Sequence, residues 1–372
     1  MTNEFTLQER EFMAQALSLA ARGQGTVEPN PMVGCLIVAR GEAVGRGWHQ
    51  RFGGLHAEVE ALRDAGEAAQ DATMYVTLEP CCHQGKTPPC VDAILQAGIR
   101  RVVVAMRDPF PKVDGSGLGV LQNAGLEVAL GLAAANAQSL NAPYLKHVQR
   151  RRPWLIAKWA MTLDGKLASR LENSQWISNP ASRAVAHQLR GRMDAIIVGR
   201  RTAVADDPLL TARPPGPRAA MRIVLDTNAL LSLDSQLVRT AHDVPVLIAA
   251  SESADSHRCR RLQNAGCEVV QLAGDNQAAR LSGLLDELDR RQMTNVLIEG
   301  GSQVLGTAFD ARLIDEVHVF IAPKLLGGSQ ALTPVGGLGL AMMSEAHGLD
   351  EVSVEQLGGD IYVSGRLLAA TH

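Results

Sequence analysis

Aromatic side chains are scarce in this chain: phenylalanine, tryptophan and tyrosine together make up 3% of its 372 residues, and only three are tyrosines. A protein that holds nucleic acid needs a basic stripe and exposed rings for stacking. Here the formal charge is −3, and the only dense basic run is Arg150-Arg151-Arg152, which reads as a solvated linker. Nucleic acid is therefore not the expected partner. No apolar run approaches the roughly 20 residues that span a bilayer, so no membrane is expected either. The N-terminus interleaves Glu4, Glu9, Arg10 and Glu11 and lacks the basic-then-apolar layout of a secretory leader, which favours the cytoplasm. Six cysteines are too few for a disulfide framework in so long a chain, and their grouping points to a metal.

What is present is an aliphatic, folded composition, with 46% hydrophobic and 20% charged residues over a length that suits two domains better than one. Leu7 to Arg22 has helical spacing through Phe12, Ala16, Leu19 and Ala20. After Pro29-Asn30-Pro31, Met32–Ala39 reads as a strand that turns at Arg40-Gly41 and returns to Trp48. Helices are expected at 56–65, 91–97 and 118–124, and strands at 73–78, 101–106 and 127–129. Around Lys146 to Pro153 the pattern lapses into a polar connection, which divides the chain into domains 1–147 and 153–372. Beyond it, strands are expected at 154–161, 195–199, 222–226, 244–249, 268–272, 295–299 and 317–322, with helices at 182–190 and 281–292. Alternation of this kind predicts an α/β fold with mostly parallel sheets.

The sharpest signal is His56-Ala57-Glu58, followed by Pro80-Cys81 and then Cys90. Zinc takes nitrogen and thiolate ligands tetrahedrally, and a catalytic site leaves the fourth position to water. One histidine and two cysteines leave that position open. Residues two apart on a helix do not share a face, so His56 must sit at the edge of its helix, with Glu58 reaching over the water to move protons. Cys90 follows Thr87-Pro88-Pro89, a cap and proline-led helix start that favours thiolate. A lone His-x-Glu is usually ordinary helix-start chemistry; the second and third ligands reverse that reading. A closed structural zinc knot would need Cys82 or His83 as fourth ligand, and Cys82 is expected to point away from Cys81 in extended chain. Cys35, Cys259 and Cys267 read as core residues.

Three stretches, Pro29-Asn30-Pro31-Met32-Val33-Gly34, His56-Ala57-Glu58-Val59 and Thr77 through Cys90, together resemble the bifunctional deaminase–reductase family of riboflavin biosynthesis, including its eight-residue gap between cysteines. The resemblance continues through Lys158–Lys166, Ser174–Ser178, Thr202–Thr211 and Glu299-Gly300-Gly301, and so covers nearly the whole chain. It implies an N-terminal cytidine-deaminase-like α/β/α domain and a C-terminal dihydrofolate-reductase-like α/β domain. The implied chemistry is zinc-dependent deamination of 2,5-diamino-6-ribosylamino-4(3H)-pyrimidinone 5′-phosphate, then NADPH-dependent reduction of its ribosyl group. By matching position, His56, Cys81 and Cys90 hold Zn2+ and Glu58 shuttles the proton. Ala160, Trp176, Thr202 and Asp206 meet NADPH, and Ser174, Arg190, Leu210, Arg213 and Glu299 meet the ribotide; Gly301 is added to the NADPH set because its glycine pair opens a helix. The resemblance also implies a homo-oligomer.

Singly, these positions have plain structural readings: Gly300-Gly301 a strand-to-helix turn, Asp206-Asp207-Pro208 a capped turn, Arg190 an offset to a helix dipole. Arginine forks nonetheless suit a ribose phosphate, and a glycine pair opening a helix suits a cofactor phosphate. The chain departs from many relatives in carrying Cys82 after Cys81, which places a spare thiol near the metal. No side chain of the second half has the signature of a general acid; Lys158 and Asp206 are the candidates for positioning there. The competing classes are a nucleic-acid-editing deaminase, a non-catalytic zinc module, and a deaminase with a degenerate second half.

Overall fold

The computed structural model describes residues 5–84, 88–169 and 176–368, and divides into two compact units, Met1–Arg151 and Arg152–His372. The first unit opens with α1 (Leu7–Ala21), started by a reciprocal cap in which Thr6 and Glu9 bond each other's backbone N–H. There follow β1 (Gly34–Ala39), β2 (Glu42–Trp48), α2 (Ala57–Ala65), β3 (Thr73–Val76), α3 (Cys90–Gln96), β4 (Arg101–Val104), α4 (Ser116–Asn123), β5 (Glu127–Leu130), α5 (Ala134–Leu140) and α6 (Ala142–Arg150). The sheet order is β2-β1-β3-β4-β5. Arg40 and Gly41, both at positive φ, form the two-residue turn that lets β2 fold back on β1. Because β1 also pairs antiparallel with β3, the sheet is parallel only from β3 to β5. The expectation of a mostly parallel sheet is corrected here. A two-residue turn can only join antiparallel neighbours.

Apolar layers cover both faces of this sheet, one around Ile37, Met74, Ile94 and Val102, the other around Met13, Leu36, Tyr75 and Val103. Each fully buried aliphatic side chain contributes about 1.5–3 kcal/mol. The seating of α2 is set by glycine. A Cβ on Gly47 would lie 2.2 Å from the Ala57 carbonyl oxygen, and one on Gly45 2.4 Å from that of Ala61. The helix therefore rests backbone-to-backbone on β2, and its first turn is fixed in height over the sheet.

The polar connection expected over 146–153 is largely helical. α6 runs to Arg150 and ends at Arg151 in the left-handed conformation. No residue of it is fully buried, though Leu145 packs against the apolar layer around Met13 and Leu36. Arg152 is not a solvated linker residue. It donates to the Ser282 carbonyl (3.0 Å) and hydroxyl (2.9 Å) and pairs with Asp286 at 3.1 Å.

The second unit comprises β6 (Trp154–Thr162), α7 (Pro180–Arg190), β7 (Ala195–Gly199), α8 (Arg200–Asp206), β8 (Met221–Leu225), α9 (Gln236–Arg239), β9 (Val246–Ser251), α10 (Ser256–Asn264), β10 (Glu268–Leu272), α11 (Gln277–Arg290), β11 (Asn295–Ile298), α12 (Ser302–Asp310), β12 (Glu316–Ala322), β13 (Leu349–Leu357) and β14 (Asp360–Leu367). Its sheet runs β10-β9-β8-β7-β11-β6-β12-β14-β13. Seven strands are parallel, as the alternation predicts, and an antiparallel hairpin, unforeseen from sequence, closes one edge. Crossover helices bury the two faces with separate aliphatic layers. The carboxyl ends of β6, β7 and β11 lead directly into the segments that hold the second half's candidate residues.

Candidate functional site

His56 is the N-cap of α2, with extended backbone (φ −78°, ψ 158°), so its side chain leaves the helix at the very edge. Cys81 lies in the loop that follows β3, and Cys90 is the first residue of α3, capped by Pro89. Thr87, expected as that cap, lies outside the described residues. The three side chains converge. His56 Nδ1 is 3.1 Å from Cys90 Sγ and 3.4 Å from Cys81 Sγ, and all three ligand atoms lie within 4.8 Å of one another. Zn–N near 2.0 Å and Zn–S near 2.3 Å in tetrahedral geometry put neighbouring N and S ligands about 3.6 Å apart. A set spaced slightly tighter than this fits the ion in both donor type and distance. Among the described residues it is the sole such cluster.

Cys90 hydrogen-bonds to Cys81, which lowers the Cys81 thiol to about 4 and raises that of Cys90. The backbone N–H of Cys90 also donates to Cys81 Sγ, at 3.4 Å. Glu58, two residues into the chain from the cap, is 3% exposed and in side-chain contact with Cys90. Burial pushes its carboxyl up to about 7, partly opposed by His56. A carboxyl with that affinity takes and gives a proton readily at neutral pH. Neither alternative ligand joins the cluster. Cys82 Sγ is 3.9 Å from the Lys112 carbonyl, and the His83 ring packs near Phe110 with centroids 6.1 Å apart.

Several residues that build this site carried no role in the sequence reading. His49 sits edge-on to His56, ring centroids 5.6 Å apart, and its two nitrogens face the Leu55 carbonyl (2.9 Å) and the Asn30 amide nitrogen (3.1 Å). An amide N–H donating to Nε2 requires the proton on Nδ1, which then donates to Leu55. This arrangement orients Asn30. The buried carboxylate of Glu79 accepts from the backbone N–H groups of Gly115 (2.9 Å), Leu118 (3.2 Å) and Asp108 (3.3 Å), tying the Cys81 loop to the start of α4. Asn141 exchanges two hydrogen bonds with Met32 and pins the Pro29–Met32 loop. Glu79 lies within the Thr77–Cys90 stretch, but its partners are 29 to 39 residues away and leave no local pattern to read.

In the second unit Glu299, at the end of β11, is the centre. Arg190, the last residue of α7, donates Nε to Oε1 at 2.5 Å and Nη2 to Oε2 at 2.7 Å; Lys158 of β6 approaches Oε2 at 3.5 Å. Burial raises the Glu299 carboxyl, but the two cations outweigh it and hold the group at about 2. Arg190 also reaches the Thr211 carbonyl, and Arg213 the Thr211 hydroxyl, each at 3.4 Å. Arg190 is thus engaged with a carboxylate rather than only offsetting the helix dipole. Leu210 is 3% exposed and has positive φ.

Thr202 lies in the first turn of α8, and a Cβ on Gly301 would stand 3.1 Å from its hydroxyl, so the starts of α8 and α12 adjoin. Asp206 ends α8 and is exposed, and Ala160 is half-buried in β6. Trp176 is 65% exposed, with the Arg183 guanidinium 4.6 Å from its ring, and Lys324 Nζ donates to the carbonyls of Trp176 and Ile177. Ser174 lies outside the described residues.

Residues 6–106 match the zinc-binding region of cytidine and deoxycytidylate deaminases, and residues 153–363 match the RibD C-terminal domain. The chain is 40% identical over 361 residues to the riboflavin biosynthesis protein RibD of Actinobacillus pleuropneumoniae, covering 97% of this chain and 96% of that one. It is 39% identical over 356 residues to RibD of Aquifex aeolicus, covering 95% and 97%. Among solved structures, RibD of Acinetobacter baumannii superposes with a TM-score of 0.85 at 34% identity, over 97% of this chain and 99% of that one. A diaminohydroxyphosphoribosylaminopyrimidine deaminase/5-amino-6-(5-phosphoribosylamino)uracil reductase from Thermotoga maritima does so with a TM-score of 0.84 at 33% identity, over the same shares.

Proposed function

The chain belongs to the RibD family of bifunctional riboflavin-biosynthesis enzymes, and from that premise we propose how its residues divide the work. It is a zinc-dependent deaminase and an NADPH-dependent reductase. The substrate is 2,5-diamino-6-ribosylamino-4(3H)-pyrimidinone 5′-phosphate, and the product of both steps is 5-amino-6-ribitylamino-uracil 5′-phosphate. Deamination is assigned to residues 1–147 and reduction to residues 153–372.

In the first unit, His56, Cys81 and Cys90 hold zinc, which supplies the Lewis acidity that makes water a nucleophile at neutral pH. Glu58 takes the proton that the water gives up as it attacks the amino-bearing ring carbon. The same carboxyl returns the proton to the departing nitrogen and the hydroxyl's remaining proton passes to the adjacent ring nitrogen, so that ammonia leaves and a carbonyl remains. Its burial supports both halves of this exchange, because a solvated carboxyl would hold a proton too weakly for the second. The convergence of the three ligands with a buried glutamate is the observation that carries the assignment.

In the second unit, Ala160, Trp176, Thr202, Asp206 and Gly301 are assigned to NADPH, which supplies the hydride. Ser174, Arg190, Leu210, Arg213 and Glu299 are assigned to the ribotide. With its carboxyl held at about 2, Glu299 is an acceptor of hydrogen bonds from sugar hydroxyls and not a general acid. Arg213 is suited to the phosphate, and Lys158 orients Glu299.

A cytoplasmic location is our reading, supported by six cysteines free of disulfides; no described helix is long and apolar enough to cross a membrane. Self-association is the reading favoured by β13, an edge strand on which Val352 and Val354 are 52% and 65% exposed. The function is tested by mass analysis of the products made from the ribotide by zinc-loaded protein. A deaminated product without NADPH, and a deaminated, reduced product with it, is the expected result. Absence of deamination at full zinc occupancy would refute the assignment.

A further inference from the structure

Between the residues assigned to NADPH and those assigned to the ribotide runs a short segment, Asp207 to Thr211, whose backbone is strained. Asp207 (φ 36°) and Leu210 (φ 54°) both occupy the left-handed region that side chains disfavour. Such conformations persist only where the surroundings over-determine them. Here two anchors are visible. Asp207 accepts the backbone N–H of Gln236 at Oδ1 (2.8 Å) and the Gln236 side-chain amide at its carbonyl (2.5 Å). The second anchor is Arg222.

Arg222 lies in β8 with its side chain wholly buried. Its Nη1 donates to the Thr240 hydroxyl (2.7 Å) and the Leu209 carbonyl (3.3 Å), and its Nη2 to the carbonyls of Thr240 (2.8 Å) and Val244. No carboxylate is among these hydrogen-bond partners, and Nε has no partner among the described residues. The Thr240 hydroxyl in turn donates to the Gln236 carbonyl at 2.6 Å. The bonds form one circuit, from Asp207 to Gln236, through α9 to Thr240, across Arg222 and back to Leu209. A buried guanidinium satisfied only by neutral oxygens is no better for stability than a well-packed apolar side chain. Beyond its bonds to Thr240 and Val244, the arginine supplies a hold on Leu209 O that an apolar residue would not.

We propose that Arg222 is a positioning residue of the reductase site, which together with α9 clamps the Asp207–Leu210 backbone so that Leu210 and Arg213 are presented to the ribotide. This rests on the assignment of Leu210 and Arg213 to the ribotide. Arg222 itself touches no substrate; it acts through the Leu209 carbonyl.

The test uses the full-length enzyme, with deaminated ribotide and NADPH as substrates. Arg222→Met is expected to raise KM for the ribotide about tenfold, with ammonia release in the first unit unchanged, and Arg222→Lys to recover part of the loss. If Arg222→Met does not fold, Thr240→Val decides, since it removes one acceptor of the circuit; a ribotide KM raised about threefold is expected. Folded variants with unchanged ribotide KM, or with a lowered melting temperature and a fall in kcat alone, would overturn the proposal. Arg213→Ala separates it from the assignment beneath: an effect of Arg213→Ala without one of Arg222→Met sinks only the clamp, whereas no effect of Arg213→Ala sinks the ribotide assignment.

Discussion

Arg190 grips Glu299 with two parallel hydrogen bonds, Nε to Oε1 at 2.5 Å and Nη2 to Oε2 at 2.7 Å, across a pocket of buried charge that Lys158 completes. Removing the negative member leaves two cations without their partner. Glu299→Gln is expected to destabilise the second unit by about 3–5 kcal/mol and to abolish most of its reductase activity, while ammonia release persists. Denaturant unfolding and the two activity assays check this together.

The same carboxylate sets a pH dependence. Its affinity for protons is lower in the folded protein, about 2, than the ordinary 4.5. Its contribution is therefore complete above pH 4.5 and is lost as the pH falls towards 2, to an extent on the order of 3 kcal/mol. Unfolding free energies of wild type and Glu299→Gln, compared between neutral pH and pH 3, should converge as the acid limit is approached. Parallel curves would show that Glu299 is not held ionised in the fold.

A change remote from the zinc ligands should disturb them through α2. Gly47→Ala would set a Cβ 2.2 Å from the Ala57 carbonyl oxygen and 2.4 Å from the Ala61 backbone nitrogen. The helix must lift, carrying His56 and Glu58 with it, at about 1–3 kcal/mol of overpacking. Weaker zinc retention and reduced deamination are expected, with reductase activity on the deaminated ribotide preserved. Zinc titration against a chelator reads the effect directly.

Much of this site was legible in the chain because its signals are local. His56 and Glu58 are two apart and can cooperate only at a helix edge, and His56 is indeed the N-cap. Pro80-Cys81 and the proline-led approach to Cys90 mark where the sheet's loops rise to meet it. The hairpin at Arg40-Gly41 is equally plain, but the antiparallel edge of a partly parallel sheet is not, because the β1–β3 pairing joins residues as far apart as Cys35 and Val76. What could not be read depends on long-range bonding or lacks an apolar pattern. Arg222 looks like one polar residue in a strand, and Glu79 serves backbone groups up to 39 residues away. β13 is exposed along nearly its whole length, so it does not show the contrast between faces from which strands are inferred.

The most direct measurement is ammonia release by Glu58→Gln, with zinc content determined on the same preparation. The account predicts zinc bound as in wild type, ammonia release lowered by on the order of 10²–10⁴-fold, and undiminished reduction of deaminated ribotide. Ammonia release at the wild-type rate would contradict the role of Glu58 as the proton carrier of the deaminase site.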